Sequence, residues 1–282
     1  MVPLSPHRSD LAALPVSAPA RVAEHLRTAP DGPVRVLHHT PSALYVEVAG
    51  RCVGVVSPGA ARVPCALRLA DAPTGVSPIG LLATEPLSPY VERGTLCLTG
   101  HPLRIGRFVD VRVPRITPRR VLDRAASPAN AVARTPGPAA GAHGLAAHSA
   151  VSALGDLPDL PQCIDTEILR ELVGNGGGLT PLGDDVLCGW LAVLVATDRM
   201  TDEVATAVRA VLDRTTLLSA TLVECALHGE VLPEFAAYVA ALGTPHEDVA
   251  VLALTRIGHT SGAGLWWGAR HALTTLATEA AA

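Results

Sequence analysis

The chain of 282 residues contains no lysine: all 22 of its basic residues are arginines. This absence excludes Schiff-base catalysis, a lysine nucleophile and the phosphate-binding lysine of a P-loop. Aromatic residues are scarce, at 3%, whereas hydrophobic residues make up 49% of the chain and charged residues only 17%. Such a composition excludes a disordered chain, and the length allows one large domain or two smaller ones.

The net charge of −4 is small and gives no electrostatic basis for binding nucleic acid or an acidic membrane surface. The charge is unevenly distributed, however. Residues 1–145 contain 16 arginines and 9 acidic residues, whereas residues 146–282 contain 6 arginines and 17 acidic residues. The sequence therefore predicts two regions of different character. Seven arginines form either a solvated surface or a basic face directed at the acidic second half of the chain or at an acidic partner, namely Arg104, Arg107, Arg112, Arg115, Arg119, Arg120 and Arg124.

The sequence also lacks metal-site cysteine spacing and long hydrophobic runs. Its six cysteines are scattered, without a C-x-x-C pair, which predicts reduced and mostly buried thiols. Residues 1–10 contain no apolar run of the kind that a signal peptide needs. The longest apolar stretch, Val186–Thr197, has 12 residues, and a bilayer requires about 20. We therefore expect a cytoplasmic protein without membrane contact, and a core helix at this stretch.

Between residues 33 and 113, apolar and polar residues alternate in short segments bounded by glycine and proline. This pattern predicts strands at roughly ten-residue spacing, and the absence of helical patterns between them favours an antiparallel sheet or a small barrel. The predicted strands cover 33–38, 43–49, 51–56, 63–69, 95–99 and 109–113. A 3.6-residue period predicts helices near 20–27, 164–173, 184–197, 201–213, 216–228, 233–242, 246–257 and 261–279.

The order of these elements predicts an α+β fold. A β-rich N-terminal domain covers 1–114, and an α-helical C-terminal domain covers 163–282. Prolines and small residues between them, at 115–162, predict a Pro/Ala/Gly-rich connection.

The most informative stretch, Gly174–Asp185, reads GNGGGLTPLGDD and directly precedes the predicted core helix. A glycine-rich loop that ends at a helix N-terminus exposes unpaired N–H groups, and the helix dipole favours an anion there. We therefore predict that a small anionic substrate binds Gly176, Gly177, Gly178 and Thr180. The spacing is not the dinucleotide fingerprint G-x-G-x-x-G, and the preceding segment has a helical pattern rather than that of a strand.

Asp184 and Asp185 follow this loop directly and would repel a bound anion unless a cation lies between them. Mg²⁺ fits such a site, because it binds one or two carboxylates together with ligand oxygens and water. We therefore consider both aspartates as catalytic residues and as Mg²⁺ ligands, and no other cofactor is predicted. In the alternative, one aspartate caps the helix and the other complements its dipole, with no ligand present.

Two other predicted helices begin with hydroxyl-bearing residues. Thr216 and Ser219 lie three residues apart, hence on one helix face, and the sequence GHTSGAG opens the last helix with Ser261 and Gly262. This spacing differs from the G-x-S-x-G nucleophile elbow, which argues against a serine hydrolase. His259 is a candidate general acid or base, or else an ordinary loop residue. The three helix starts would converge on one small anion, unless each hydroxyl only caps its own helix.

These segments resemble the AllH-like subunit family of oxamate carbamoyltransferase. The family's G-x-G-x-G-L-T-P-S-G-D-D element is similar to Gly174–Asp185, and its late G-H-[TS]-S-G motif is similar to Gly258–Gly262. Its T-x-x-L-S segment and the following A-x-x-G resemble Thr215–Ser219 and Ala226–Gly229. The resemblance spans most of the chain and is most specific in the C-terminal part. Leu182 stands where the family usually has serine, so one hydroxyl ligand is lacking.

The resemblance implies carbamoyl transfer between carbamoyl phosphate and oxamate, with oxalurate as the carbamoylated species, in purine (allantoin) nitrogen breakdown. It also implies an assembly with two other types of partner subunit. We expect N–H groups and hydroxyls to stabilise a tetrahedral intermediate, with His259 as the proton donor. The alternative is a non-catalytic scaffold or regulatory subunit whose anion site senses a metabolite, so the sequence leaves open whether the isolated chain is an enzyme.

Overall fold

The computed structural model describes residues 12–70, 79, 88–126 and 165–281. The chain divides into two compact units, Met1–Asp110 and Val111–Ala282. The first unit is β-rich and the second is helical, which confirms the predicted α+β fold class. The predicted domain limits stay a prediction, and most of the predicted connection, together with Cys163, lies outside the described residues.

In its described ranges, 12–70 and 88–110, the first unit contains one helix and nine strands, and the strands form a single nearly closed, barrel-like sheet. In chain order these are β1 (Leu14–Ala18), α1 (Ala20–Thr28), β2 (Gly32–Pro33), β3 (Arg35–Thr40), β4 (Ala43–Val48), β5 (Arg51–Val56), β6 (Ala66–Leu69), β7 (Tyr90–Glu92), β8 (Thr95–Leu98) and β9 (His101–Phe108). The strand order is β2-β7-β8-β9-β1-β6-β5-β4-β3. Most neighbours are antiparallel, but β1 pairs with β9 and β5 pairs with β6 in parallel.

Hydrophobic alternation identified the strands that bury one face. In β4, Leu44, Val46 and Val48 are buried while the intervening side chains are partly exposed, as predicted. The predicted strand at 109–113 is wrong. The N–H of Val113 donates to the carbonyl of Gly229 (2.7 Å) in the second unit, outside any strand. Val111 and Val113 are nevertheless buried, and their segment makes an isolated β-bridge between Arg112 and Glu230 instead of a strand of the sheet.

The second unit contains eight α-helices among its described residues. They are α2 (Pro118–Ala126), α3 (Thr166–Leu172), α4 (Leu182–Ala196), α5 (Asp202–Arg209), α6 (Leu217–Leu227), α7 (Pro233–Ala241), α8 (Glu247–Thr255) and α9 (Ser261–Ala281). The predicted helices at and after 164 are all present, with ends shifted by a few residues. The predicted helix at 201–213 is shorter, because it ends at Arg209 and a 3₁₀ turn follows at Leu212–Arg214. Helix α2 lies within the segment that the sequence predicts as a connection.

Helix α4 is the buried core helix that the sequence predicts. Every residue from Leu182 to Leu194 is buried, and the helix packs most extensively against α9 and then α6. Glycines make this packing possible, because a Cβ at Gly268 would overlap the carbonyl oxygen of Val186. The close crossing places the start of α4 beside the start of α9.

The remaining sequence expectations concern thiols and membranes. Five cysteines lie within the described residues, and all five are buried thiols outside any disulfide bond. None of the described helices combines the length and the apolar character needed to cross a bilayer.

Candidate functional site

The glycine-rich loop between α3 and α4 takes a backbone conformation that other residues adopt rarely. Gly174, Gly176 and Gly178 have φ angles of +81°, +114° and +92°. These values lie in the left-handed region, where a Cβ is strongly disfavoured. The alternating glycines are therefore required by the path of the chain, independently of any ligand.

In the inner part of the loop, close contacts with neighbouring backbone require glycine, whereas open space surrounds the outer part. A Cβ at Gly174 would overlap the carbonyl oxygen of Arg214, and one at Gly176 would lie 2.7 Å from the nitrogen of Leu182. At Gly177 and Gly178, by contrast, an added Cβ would meet nothing within 4 Å, and both residues are exposed. Only the outer part of the loop therefore leaves room for a ligand to approach the backbone.

Asp184 is fully buried, and donors from three segments hold its carboxylate. The N–H of Gly174 donates to Oδ1 at 2.8 Å. Both the hydroxyl of Ser219, at 2.6 Å, and the hydroxyl of Thr215 donate to Oδ2. Hydrogen bonds to a carboxylate are stronger than those between neutral groups. Asp184 therefore ties the loop, the turn before α6 and the first turn of α6 together.

This arrangement decides between some of the roles predicted for the aspartate pair. The proposed capping role is wrong, because Pro181 occupies the N-cap of α4 and no side chain caps that helix. Both oxygens of Asp184 already accept hydrogen bonds, so a Mg²⁺ ion here would depend on Asp185 and on ligand oxygens. Within the described residues, no group of three or more His, Cys, Asp or Glu side chains is arranged to hold a metal ion.

Asp185, in the same helical turn, is in the opposite situation. Its side chain is buried, and its Oδ2 atom has no hydrogen-bond partner among the described residues. Burial raises its pKa to about 8; the charge of Asp184 adds to the rise, while the hydroxyls of Ser261 and Thr180 oppose it. Asp185 therefore holds a proton at neutral pH. A neutral Asp185 removes much of the repulsion that two carboxylates would exert on an anion.

The hydroxyls of Thr180 and Ser261 join the loop to the start of α9. Their oxygen atoms lie 2.9 Å apart. A Cβ at Gly264, one turn into α9, would lie 2.8 Å from the Cβ of Asp185, which shows how closely α9 covers this aspartate. The motifs at the starts of α4 and α9 are therefore neighbours in space, as the sequence predicts.

The start of α6 joins the same cluster through Thr216. Its hydroxyl donates to the carbonyl of Leu179 (2.6 Å) and accepts from the N–H of Ser219 (3.1 Å), so it caps α6 and holds the loop. The three predicted helix starts thus converge, but the hydroxyls of Thr216 and Ser219 are engaged by the protein itself.

The last two predicted residues differ in environment. His259 is exposed in the turn between α8 and α9 and makes no hydrogen bond within the described part of the chain. Gly262 is buried, and a Cβ there would overlap the carbonyl oxygen of Leu254. Thr215 is the site residue that the predicted set lacks. It directly precedes the cap of α6, and only the fold brings it to Asp184.

A comparison with protein families matches part of the second unit. Residues 172–273 match the family model described as oxamate carbamoyltransferase subunit AllH. Over these residues, the chain is similar to that family. The matched range contains the loop from Gly174, both aspartates and the starts of α6 and α9, and it confirms the resemblance inferred from the motifs. Searches of curated proteins and of solved structures found no match.

The groups of the AllH-like region define what this cluster can bind. Gly177 and Gly178 present an exposed backbone, and α4 directs its positive dipole end toward the loop. Thr180 and Ser261 supply hydroxyls, and Asp185 supplies a neutral carboxyl with one unpartnered oxygen. Such a set suits a small anion that also carries a hydrogen-bond donor.

Proposed function

We propose that the chain is a subunit of a carbamoyltransferase and that its AllH-like region binds carbamoyl phosphate and oxamate or oxalurate, in purine (allantoin) nitrogen catabolism. The family description supports the connection with oxamate carbamoyltransferase and with a multi-subunit assembly. One observation carries the assignment of the site: a buried carboxyl with an unpartnered oxygen lies within the matched range, beside two hydroxyls at a helix N-terminus. Buried polar atoms without partners are rare in proteins, so this one indicates a binding site.

The proposed substrates are small anions, and the site offers them donors rather than a full positive charge. The N–H groups at Gly177 and Gly178 and the dipole of α4 favour a phosphate or a carboxylate. The hydroxyls of Thr180 and Ser261 supply further donors. No lysine is available anywhere in the chain, so these groups take the place that a lysine often has in phosphate sites.

Carbamoyl transfer has a simple requirement for charge stabilisation. The amide nitrogen of oxamate attacks the carbonyl carbon of carbamoyl phosphate, the bond from that carbon to the phosphate oxygen breaks, and the nitrogen loses a proton. Negative charge develops on the carbonyl oxygen of the tetrahedral intermediate, where fixed N–H and O–H donors stabilise it. In this proposal His259, exposed beside the start of α9, exchanges the proton.

A second candidate function is that of a non-catalytic subunit that scaffolds the complex or senses a metabolite. The internal hydrogen bonds of Asp184, Thr216 and Ser219 favour it, because groups engaged by the protein itself contribute to stability rather than to chemistry. An anion bound at Asp185 would then act as a signal and not as a substrate.

Calorimetric titration of the full chain with carbamoyl phosphate, oxamate and inorganic phosphate, with and without Mg²⁺, tests the proposal. A carbamoyl-transfer assay of the chain alone and with its partner subunits accompanies it. Binding accompanied by turnover supports a catalytic subunit when Thr180→Val abolishes that turnover and Thr180→Ser retains it. Binding without turnover in either setting supports the sensing role. If none of the three compounds binds in either setting, the proposed function is wrong.

A further inference from the structure

We infer that Asp185 determines specificity: its Oδ2 atom accepts a hydrogen bond from the NH₂ group of the substrate, so the site selects amide-bearing anions over anions of the same shape without NH₂. This inference rests on the proposed function and names the part of the substrate that the site recognises. Oxamate and carbamoyl phosphate both carry an NH₂ group on a carbonyl carbon.

The contrast between adjacent aspartates identifies the acceptor. Asp184 receives donors from Gly174, Thr215 and Ser219, so the fold satisfies its carboxylate completely. Asp185 is equally buried, yet its Oδ2 has no partner among the described residues. A buried acceptor without a donor is unfavourable in the empty protein, and a ligand that brings the donor removes that penalty.

The position of Asp185 makes its oxygen a fixed element of the site. Helix α9 covers the side chain at Gly264, where only the absence of a Cβ leaves room for the Cβ of Asp185. The side chain of Leu182 packs at the same glycine, since its Cδ1 would lie 2.9 Å from an added Cβ. Asp185 therefore has little freedom to turn its carboxyl toward solvent, and the ligand must supply the donor.

The nearby hydroxyls explain why an amide suits this site better than a simple anion. Thr180 and Ser261 are hydrogen-bonded to each other, with oxygens 2.9 Å apart. A phosphate or carboxylate oxygen brings only acceptors and supplies no donor to Oδ2. An NH₂ group brings the missing donor while the anionic part of the same molecule faces the loop N–H groups. Oδ2 accepts such a bond whether the carboxyl is protonated or ionised.

Two ligand pairs that differ only by NH₂ or CH₃ test the inference: oxamate with pyruvate, and carbamoyl phosphate with acetyl phosphate. Calorimetry on the full chain compares wild type with Asp185→Leu, which removes the acceptor at similar size, and with Asp185→Asn, which keeps one carbonyl oxygen. For wild type we expect the NH₂ member of each pair to bind about tenfold more tightly or better. Asp185→Leu reduces that ratio to about one, and Asp185→Asn keeps a clear preference.

Equal affinities within both pairs for wild type would overturn the inference, and so would an undiminished ratio in Asp185→Leu. Where Asp185→Leu does not fold, as judged by circular dichroism, Asp185→Ser provides the smaller substitution, with the same expected loss of the ratio. A wild-type chain that binds none of the four compounds, alone or with partner subunits, overturns the proposed function as well. Binding with an unchanged ratio overturns only the role of Asp185.

Discussion

Ser219 donates its hydroxyl proton to Asp184 across 2.6 Å, and both side chains are buried. The same carboxylate oxygen accepts the hydroxyl proton of Thr215, while the other oxygen accepts the N–H of Gly174. Asp184 lies in the first turn of α4, and its partners lie in other segments. The shape of the glycine-rich loop therefore depends on a carboxylate that the loop itself does not contain.

Asp184→Ala should be among the most destabilising substitutions in the second unit. It leaves three donors without their acceptor, one buried and two partly buried, and we expect the free energy of unfolding to fall by about 3 kcal/mol or more. Ser219→Ala removes one donor and should cost about 1–2 kcal/mol. Urea denaturation measures both. Asp213→Asn, at an exposed position, is the control and should stay within about 0.5 kcal/mol. An effect of Asp184→Ala as small as that of the control would contradict the anchoring role.

Asp185 should make stability depend on pH in a direction opposite to that of a salt-bridged aspartate. In the folded chain its pKa is about 8, above the ordinary 3.8, so between these values the native state holds a proton that the unfolded state releases. Relative to Asp185→Asn, the wild-type free energy of unfolding should fall as pH rises through this window, by at most about 1.4 kcal/mol per pH unit. Denaturation of both proteins at pH 5, 7 and 9 measures the difference, and parallel pH profiles would show that the native pKa is not raised.

The crossing of α4 and α9 predicts that a usually favourable substitution is harmful here. Gly→Ala within a helix ordinarily stabilises by about 1 kcal/mol, but a Cβ at Gly268 would overlap the carbonyl oxygen of Val186. We expect Gly268→Ala to lower the free energy of unfolding by about 3 kcal/mol, because the helices must separate. Gly177→Ala, where an added Cβ meets nothing within 4 Å, is the matched control for stability. Equal thermal unfolding of both variants would mean that the helices do not cross so closely.

Two ion pairs of the second unit should differ sharply in their contribution. Arg124 Nε lies 2.8 Å from Glu247 Oε1, with side chains only 9% and 15% exposed. Arg124→Met strands that carboxylate and should cost about 3–5 kcal/mol. The pair Arg115–Asp198, at 3.0 Å, is 82% and 69% exposed, so Arg115→Met should change stability by less than about 0.5 kcal/mol. Chemical denaturation of the two variants tests this difference, and comparable losses would refute it.

Local sequence patterns predicted most of the helices of the second unit. The 3.6-residue period located most of the helices from α3 to α9. Helix α4 was located by its continuous apolar stretch, because it is buried on nearly all sides. The two-residue alternation typical of strands did not locate β1 and β9, because their burial is mixed. Nor did it predict that the two strands pair in parallel. Parallel pairing is a long-range property, so no spacing within either strand predicts it.

The site shows the same division between local and long-range information. Glycine spacing and helix-start residues pointed to the stretch Gly174–Asp185 and to Ser261, and the fold brings them together. No local pattern indicates that the carboxylate of Asp184 accepts several hydrogen bonds while Oδ2 of Asp185 accepts none, because Thr215 and Ser219 reach one carboxylate and not the other. That difference depends on how α6 packs against α4.

Calorimetric titration of the full chain with oxamate, comparing wild type with the double variant Thr180→Val/Ser261→Ala, directly tests whether the starts of α4 and α9 bind the substrate. We expect one binding site in the wild type and an affinity about tenfold or more lower in the double variant, with the fold retained by circular dichroism. Equal affinity of the two proteins, or no binding to the wild type even with its partner subunits, would contradict it.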